Sequence, residues 1–194
     1  MLRDLIDGVG PPRPRRRPDG PSPDDHYGAL VRSIVGQQLS VAAAKAIYGR
    51  LLERFDGRPP SPQEVLAQDE EELRAAAGLS RAKVGFLRSL AEHVVAGELE
   101  LDRVARLADA EIVAELCAVR GIGEWSAHMF LMFQLERPDV LAVGDLGVRR
   151  AAQRAYGLSG LPPAEDLRAL AEPWRPHRTL ACRYLWRSLD NEPG

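Results

Sequence analysis

Two places in this 194-residue sequence carry residue types and spacing suited to chemistry. The first is Val119-Arg120-Gly121-Ile122-Gly123-Glu124-Trp125-Ser126-Ala127. Two glycines flank one aliphatic residue between two helical patterns. Glycine takes positive φ at little cost, so the chain can reverse sharply there. The second helix then begins with backbone N–H groups that no carbonyl of the helix accepts, at the positive end of its dipole. Such a start binds anions, and a phosphate is the obvious guest. A plain helical hairpin with a glycine C-cap fits the same residues. The second place is Asp145. It follows Gly144, lies in a break after an apolar helical run, and begins the next helical pattern. A carboxylate there serves either as a simple N-cap, for which Asp is favoured, or as a charge held at the edge of a site. The order of elements is informative: a two-glycine hairpin, an apolar helix, a short break, and a carboxylate at a helix start.

The elements that must position these residues are all helical. Before the hairpin, Asp109 to Ala118 reads as a helix capped by Asp109, with Ala110, Val113, Leu116 and Cys117 at helical spacing. After it, Trp125 to Leu135 is a second apolar helical run. Earlier in the chain, Asp24 or Asp25 caps a helix whose apolar face is Tyr27, Leu30, Val31, Ile34 and Val35. Gly36-Gln37-Gln38-Leu39 follows, and Ser40 caps the helix from Val41 to Arg54. Ser61-Pro62-Gln63-Glu64 is a capping box with Pro at the first helical position. It opens a helix ending near Gln68; Asp69 starts another, ending at Gly78; Ser80 caps a long one, ended by Gly97. Beyond the hairpin, Glu136-Arg137-Pro138-Asp139 is a break, and Val140 to Gly144 is an apolar connector too short to build a sheet. Asp145 opens a helix to about Tyr156, Pro162-Pro163 opens another, and the last begins near Pro176 and carries Leu180, Tyr184, Leu185 and Leu189. No strand pairs are visible. The expected fold is all-α, with roughly ten helices joined by short connections. At the N-terminus, Met1 to Asp7 reads as one or two helical turns. Gly8 to Pro23 is Pro-rich and extended. Its arginines Arg13, Arg15, Arg16 and Arg17 suit either a strap over the surface or a contact to a DNA backbone.

Composition excludes several classes. No apolar run reaches about 18 residues, so no membrane helix is expected. The first residues carry two acids and lack the apolar core of a signal peptide, which points to the cytosol. The two cysteines, Cys117 and Cys182, sit in apolar helical patterns and are expected as buried free thiols. Four histidines with no close pair give no metal-site pattern, and no cofactor is expected. A formal net charge of −2 argues against a protein that coats nucleic acid by bulk attraction. A local basic face with backbone donors remains compatible with it.

The chain resembles the helix-hairpin-helix (HhH-GPD) base-excision DNA glycosylases, and within them the alkylation-repair branch, DNA-3-methyladenine glycosylase II. The resemblance runs from Tyr27 to about Trp186. It rests on Leu30-Val31-Arg32-Ser33-Ile34-Val35-Gly36-Gln37-Gln38-Leu39-Ser40, Gly78-Leu79-Ser80-Arg81-Ala82-Lys83, Arg120 to Ala127, Asp145-Leu146-Gly147-Val148-Arg149-Arg150, and Pro173-Trp174-Arg175-Pro176-His177-Arg178. It implies that Asp145 is the catalytic carboxylate. Cleaving an N-glycosidic bond builds positive charge on the deoxyribose, and a fixed carboxylate beside C1′ stabilises that state and can orient a water. The lysine of the lyase-competent relatives falls two residues after the second hairpin glycine, where this chain has Trp125. The expectation is therefore a monofunctional enzyme that leaves an abasic site.

The resemblance assigns further roles. Gln38 stands at the position of the wedge that fills the gap left by a flipped nucleotide, with Leu39 beside it. Trp125 is expected to stack on a cationic purine. Met129 and His177 stand where relatives have tyrosine and tryptophan, which implies a less aromatic base pocket. Backbone donors at Gly121, Gly123 and Ser126, with Ser80, Arg81 and Lys83, are expected against the DNA backbone. A monovalent cation at the hairpin carbonyls is also implied. The partner is duplex DNA with alkylated bases, and the chain is expected to act as a monomer in a bacterial-type cytosol. Two helical subdomains follow: 27–135 with the wedge and hairpin, and 1–26 plus 136–194 with Asp145. The active site is expected in the cleft between them. Two other readings compete. A non-catalytic hairpin protein that senses damage would not need Asp145, and an oxidised-base glycosylase-lyase would need the hairpin lysine.

Overall fold

A computed structural model of the chain describes residues 6–8 and 25–190. The Pro/Arg-rich segment with Arg13, Arg15, Arg16 and Arg17 lies outside the described residues, as do Met1 to Leu5 and the alternative cap Asp24. Among the described residues every regular element is helical and there is no strand. They divide into two compact units, 25–130 and 131–190, the second taking in 6–8.

The first unit begins with α1, His26–Gly36, and α2, Val41–Arg54. Asp25 caps α1, its carboxylate accepting from Gly28 N at 2.6 Å, and Ser40 caps α2 by accepting from Ala43 N at 3.3 Å. Next come α3, Pro62–Ala67, α4, Glu70–Ala77, and α5, Arg81–Val95. Ser61 and Glu64 complete the capping box of α3: Ser61 Oγ accepts from Glu64 N at 3.2 Å, and Glu64 accepts from Ser61 N at 2.7 Å. Asp69 and Ser80 cap α4 and α5. Then follow α6, Leu101–Val104, α7, Asp109–Ala118, and α8, Glu124–Phe133, within which the boundary between the units falls. Helix α1 packs on α2, α5 and α6, and α3 and α4 pack on α5. Leu30, Ile34, Leu51, Leu73, Leu87, Leu90, Ile112 and Leu116 are fully buried in this unit. Each such side chain contributes about 1.5–3 kcal/mol.

The second unit is built on α9, Leu146–Tyr156, against α11, Arg178–Asp190. Helix α9 buries Val148, Ala151 and Ala152, and α11 buries Ala181, Cys182 and Leu185. Small residues on both faces let the two helices approach closely. Between them lie α10, Ala164–Ala171, and a single 3₁₀ turn, Glu172–Trp174, whose Trp174 donates from Nε1 to the Tyr156 hydroxyl at 3.0 Å. The break after α8 is tied to the start of α11. Asp139 accepts from Arg178 Nε at 2.7 Å, Arg178 Nη2 at 3.0 Å and Arg175 Nη1 at 2.8 Å. Thr179 closes the joint, donating to the Arg137 carbonyl at 2.7 Å and accepting from Val140 N at 3.0 Å.

Five local expectations change. Asp109 is the first residue of α7 and not its cap. Ala108 takes the cap position because the Glu111 carboxylate reaches back to accept from Ala108 N at 3.0 Å. The buried face of α7 is Ile112 and Leu116, continued by Val119; Ala110 and Cys117 point outward. Cys117 is therefore an exposed free thiol, while Cys182 is buried and free. The helix after the hairpin runs Glu124–Phe133, and the last helix starts at Arg178, two residues past Pro176.

Candidate active site and DNA interface

The hairpin uses its two glycines differently. Gly121 has φ +93°, and a Cβ there would lie 2.2 Å from Cγ of Phe86 on α5. Both backbone and packing therefore demand glycine. Gly123 lacks a positive φ, contrary to the expectation from sequence, and a Cβ on it would meet nothing within 4 Å. What its missing side chain leaves is open access to the first turn of α8, where backbone donors lack helical acceptors. Among the carbonyls of the turn, Val119 O accepts from Ile122 N at 3.1 Å. The Gly121 carbonyl accepts from Gln37 Nε2 at 2.8 Å.

Gln37 is one of the residues the sequence did not single out for a role of its own. Its Nε2 also lies 3.3 Å from Ser126 Oγ. Ser126 is nearly fully buried, and its hydroxyl serves this internal bridge. The bridge fastens the base of the Gln37-Gln38-Leu39 turn to the hairpin. A second tie comes from Lys83, whose Nζ donates to the Val35 carbonyl at 2.7 Å. Burial lowers the pKa of this ammonium. Lys83 thus holds the end of α1 and spends one donor inward. Arg81 is exposed and meets Glu71 at 3.2 Å, and the hydroxyl of Ser80 caps α5 through Lys83 N at 3.2 Å. At the tip, Gln38 adopts φ +56° and is exposed, with Leu39 exposed beside it. A non-glycine residue in that region costs roughly 1–2 kcal/mol, so the turn is held in a form its own sequence does not favour.

Asp145 caps α9, its Oδ1 accepting from Val148 N at 2.8 Å. The same oxygen accepts from Trp186 Nε1 on α11, also at 2.8 Å. The indole in turn stacks on Phe133 at 6.0 Å with 28° between the planes. Gly147 makes this possible: a Cβ there would lie 3.0 Å from both Asp145 Oδ1 and Trp186 Cδ1. The carboxylate is half-buried and fixed by one backbone and one side-chain donor. It can serve as an acceptor beside a developing positive charge without rearranging.

Of the residues expected around the base, Trp125 is 44 % exposed on the first turn of α8, and Met129 sits one turn further, half-buried. His177 is exposed at the start of α11 and lines a cavity of about 310 Å³ with Met132, Phe133, Arg137 and Leu180. Phe133 belongs both to this cavity and to the stack behind Asp145. Among the described residues no group of three His, Cys, Asp or Glu side chains is placed to hold a metal ion.

The model of the HhH-GPD superfamily of base excision DNA repair proteins matches residues 31–176. The chain belongs to that superfamily. It is 34 % identical to DNA-3-methyladenine glycosylase 1 of Schizosaccharomyces pombe, over 95 % of this chain and 80 % of the relative. It is 29 % identical to DNA-3-methyladenine glycosylase 2 of Escherichia coli, over 87 % of this chain and 60 % of that longer protein. Among solved structures, the S. pombe 3-methyladenine DNA glycosylase in complex with abasic DNA has a TM-score of 0.84 at 32 % identity, covering 97 % of this chain and 90 % of that one. A DNA-3-methyladenine glycosidase from Bacillus halodurans has a TM-score of 0.81 at 36 % identity, covering 98 % and 84 %.

As an HhH-GPD protein, the chain carries its hairpin and its carboxylate on helix starts that the sequence makes plain. The supporting residues were not visible there. Trp186 lies 41 positions from Asp145, and Gln37 lies 84 from Gly121. Neither pair has a local pattern. Gly147 carried a weak signal: a glycine two residues into a helix costs stability and so asks for a packing reason.

Proposed function

We propose that this chain excises alkylated purines of the 3-methyladenine kind from duplex DNA by hydrolysis at C1′, with Asp145 as the catalytic carboxylate. The chain is a base-excision DNA glycosylase, and its relatives are named for 3-methyladenine. The observation that carries the assignment is the double fixation of Asp145 Oδ1 by Val148 N and Trp186 Nε1. Alkylation at N3 or N7 leaves the purine cationic. The C1′–N bond then breaks with its electron pair going to the base, which departs neutral. Charge develops on the deoxyribose, and the carboxylate faces it. A water oxygen adds to C1′ and its proton passes to Asp145 or to solvent, leaving an abasic site.

Trp125 occupies the hairpin position at which lyase relatives carry lysine, so no Schiff base forms and the strand stays intact. Its exposed ring is suited to stacking on the extruded cation, with Met129 one turn along the same helix beside it. Gln38 and Leu39 fill the vacated stack. Gly121, Gly123 and Ser126 offer backbone donors to the lesion strand, with Ser80 and Arg81 as a second backbone contact. The enzyme acts as a monomer in the cytosol.

Asp145→Asn tests this reading. Base release from methylated duplex DNA should fall about 10²- to 10⁴-fold while abasic-DNA binding persists. Release at the wild-type rate would remove Asp145 from the mechanism. A borohydride-trapped protein–DNA adduct would favour the lyase reading instead.

A further inference from the structure

We propose that Trp186 is a positioning residue for the reaction, aiming the Asp145 carboxylate through its indole N–H, and that Gly147 is retained to let the two meet. The inference rests on Asp145 being the catalytic carboxylate. Three contacts carry it. The indole Nε1 donates to Asp145 Oδ1 at 2.8 Å, the same oxygen that the helix start holds through Val148 N at 2.8 Å. The indole is itself braced by the Phe133 ring at 6.0 Å, nearly parallel. Gly147 lies under the bond, where a methyl group would sit 3.0 Å from Asp145 Oδ1, 3.0 Å from Trp186 Cδ1 and 3.3 Å from Nε1.

An N-cap bond alone leaves a carboxylate free to swing about its Cα–Cβ and Cβ–Cγ bonds. A second donor on the same oxygen, from a different helix, fixes the carboxylate plane. Tryptophan suits this role because its N–H is a donor only and its ring cannot rotate without losing the stack on Phe133. Glycine inside the first turn of a helix is unfavourable relative to alanine, so its presence at 147 needs the close approach to explain it. Of the three tryptophans in the chain, Trp174 donates to a tyrosine hydroxyl. Trp186 donates to the carboxylate on which the chemistry depends.

Two substitutions test this from opposite sides. Trp186→Phe removes the N–H and keeps an aromatic ring for Phe133. Gly147→Ala keeps both groups and drives them apart, while favouring the helix. Single-turnover release of bases from dimethyl-sulfate-treated duplex DNA should fall about tenfold to a hundredfold in each, the scale expected when a reacting group is misplaced by up to an ångström. Affinity for an abasic duplex and the thermal midpoint should stay near wild type. In ¹⁵N-labelled protein the Trp186 indole resonance should move in Asp145→Asn. Wild-type release by Trp186→Phe and Gly147→Ala, alongside an inactive Asp145→Asn, would overturn the inference and leave the proposed function standing. Equal losses of rate, abasic-DNA affinity and melting temperature would also overturn it, in favour of a merely structural tryptophan. Wild-type release by Asp145→Asn would instead overturn the function on which it rests.

Discussion

Asp145 combines two tasks that substitutions can separate. It closes the first turn of α9 by accepting from Val148 N, and it presents a negative charge at the same place. Asparagine caps a helix about as well as aspartate, whereas alanine does not, at a cost of about 1 kcal/mol. Asp145→Asn should therefore melt within a degree or two of wild type yet release almost no base. Asp145→Ala should lose both stability and activity. Thermal melts beside single-turnover assays check this pair, and a large destabilisation by Asp145→Asn would mean that its charge is needed for folding. That the proposed catalytic residue is also a cap explains why its position was legible: cap chemistry is local, and a carboxylate before a helical pattern announces itself. Its partner Trp186 was not legible, because it lies 41 positions away and no local pattern joins the two; Gly147 signals only that something packs closely there.

The hairpin and the Gln37–Leu39 turn act as one element joined by Gln37. The two glycines separate structure from binding there. Gly121→Ala meets both a φ of +93° and the Phe86 ring, and together these should cost about 2–4 kcal/mol in urea unfolding. Gly123→Ala meets neither, so its stability should change by less than about 0.5 kcal/mol. Its methyl group instead projects into the open space beside the first turn of α8 that a phosphate would take, and binding to an abasic duplex, followed by fluorescence anisotropy, should weaken. Unchanged affinity in Gly123→Ala would argue against a phosphate at that helix start. Gln37→Ala should slow base release although the side chain points away from the tip, because Gln38 then loses its tether to the hairpin. The loss of two hydrogen bonds, one to a buried hydroxyl, should also cost about 1–2 kcal/mol. Most helix starts were readable because Asp25, Ser40, Ser61, Asp69, Ser80 and Asp145 cap them through bonds three residues long or shorter. The start of α7 was misread because its cap runs backward, from Glu111 to Ala108 N. The four-residue α6 is too short to show a period.

At the scale of the whole molecule, the net charge of −2 leaves no general attraction to DNA, so affinity must come from local donors. The acids are instead spent on holding the chain together, and this makes stability pH-dependent in a definite direction. Burial tends to raise the pKa of Asp139, but hydrogen bonds and charge from Arg178, with Arg175 beside it, outweigh burial and hold it below the usual carboxylate range. Glu64 is held at about 2 by the Arg58 guanidinium and the Ser61 N–H. A carboxyl whose folded pKa lies below its unfolded value binds protons more readily when unfolded. Its contribution is complete above the unfolded value, about 3.9 for Asp and 4.3 for Glu, and is lost as pH falls toward the folded value. The protein should therefore hold its urea midpoint from neutral pH to about 5 and lose stability steeply from there to about 2. Asp139 is the better probe of the two, because it and Arg178 are largely shielded, with side chains 22 % and 17 % exposed, and because the pair ties the break after α8 to the start of α11. Asp139→Ala should cost about 2 kcal/mol at pH 7, after allowing for partial exposure. It should also flatten the loss of stability between pH 5 and 2.5 relative to wild type. Urea titrations of both proteins across that range decide the matter: parallel curves would mean that the Asp139–Arg178 pair carries none of the acid sensitivity.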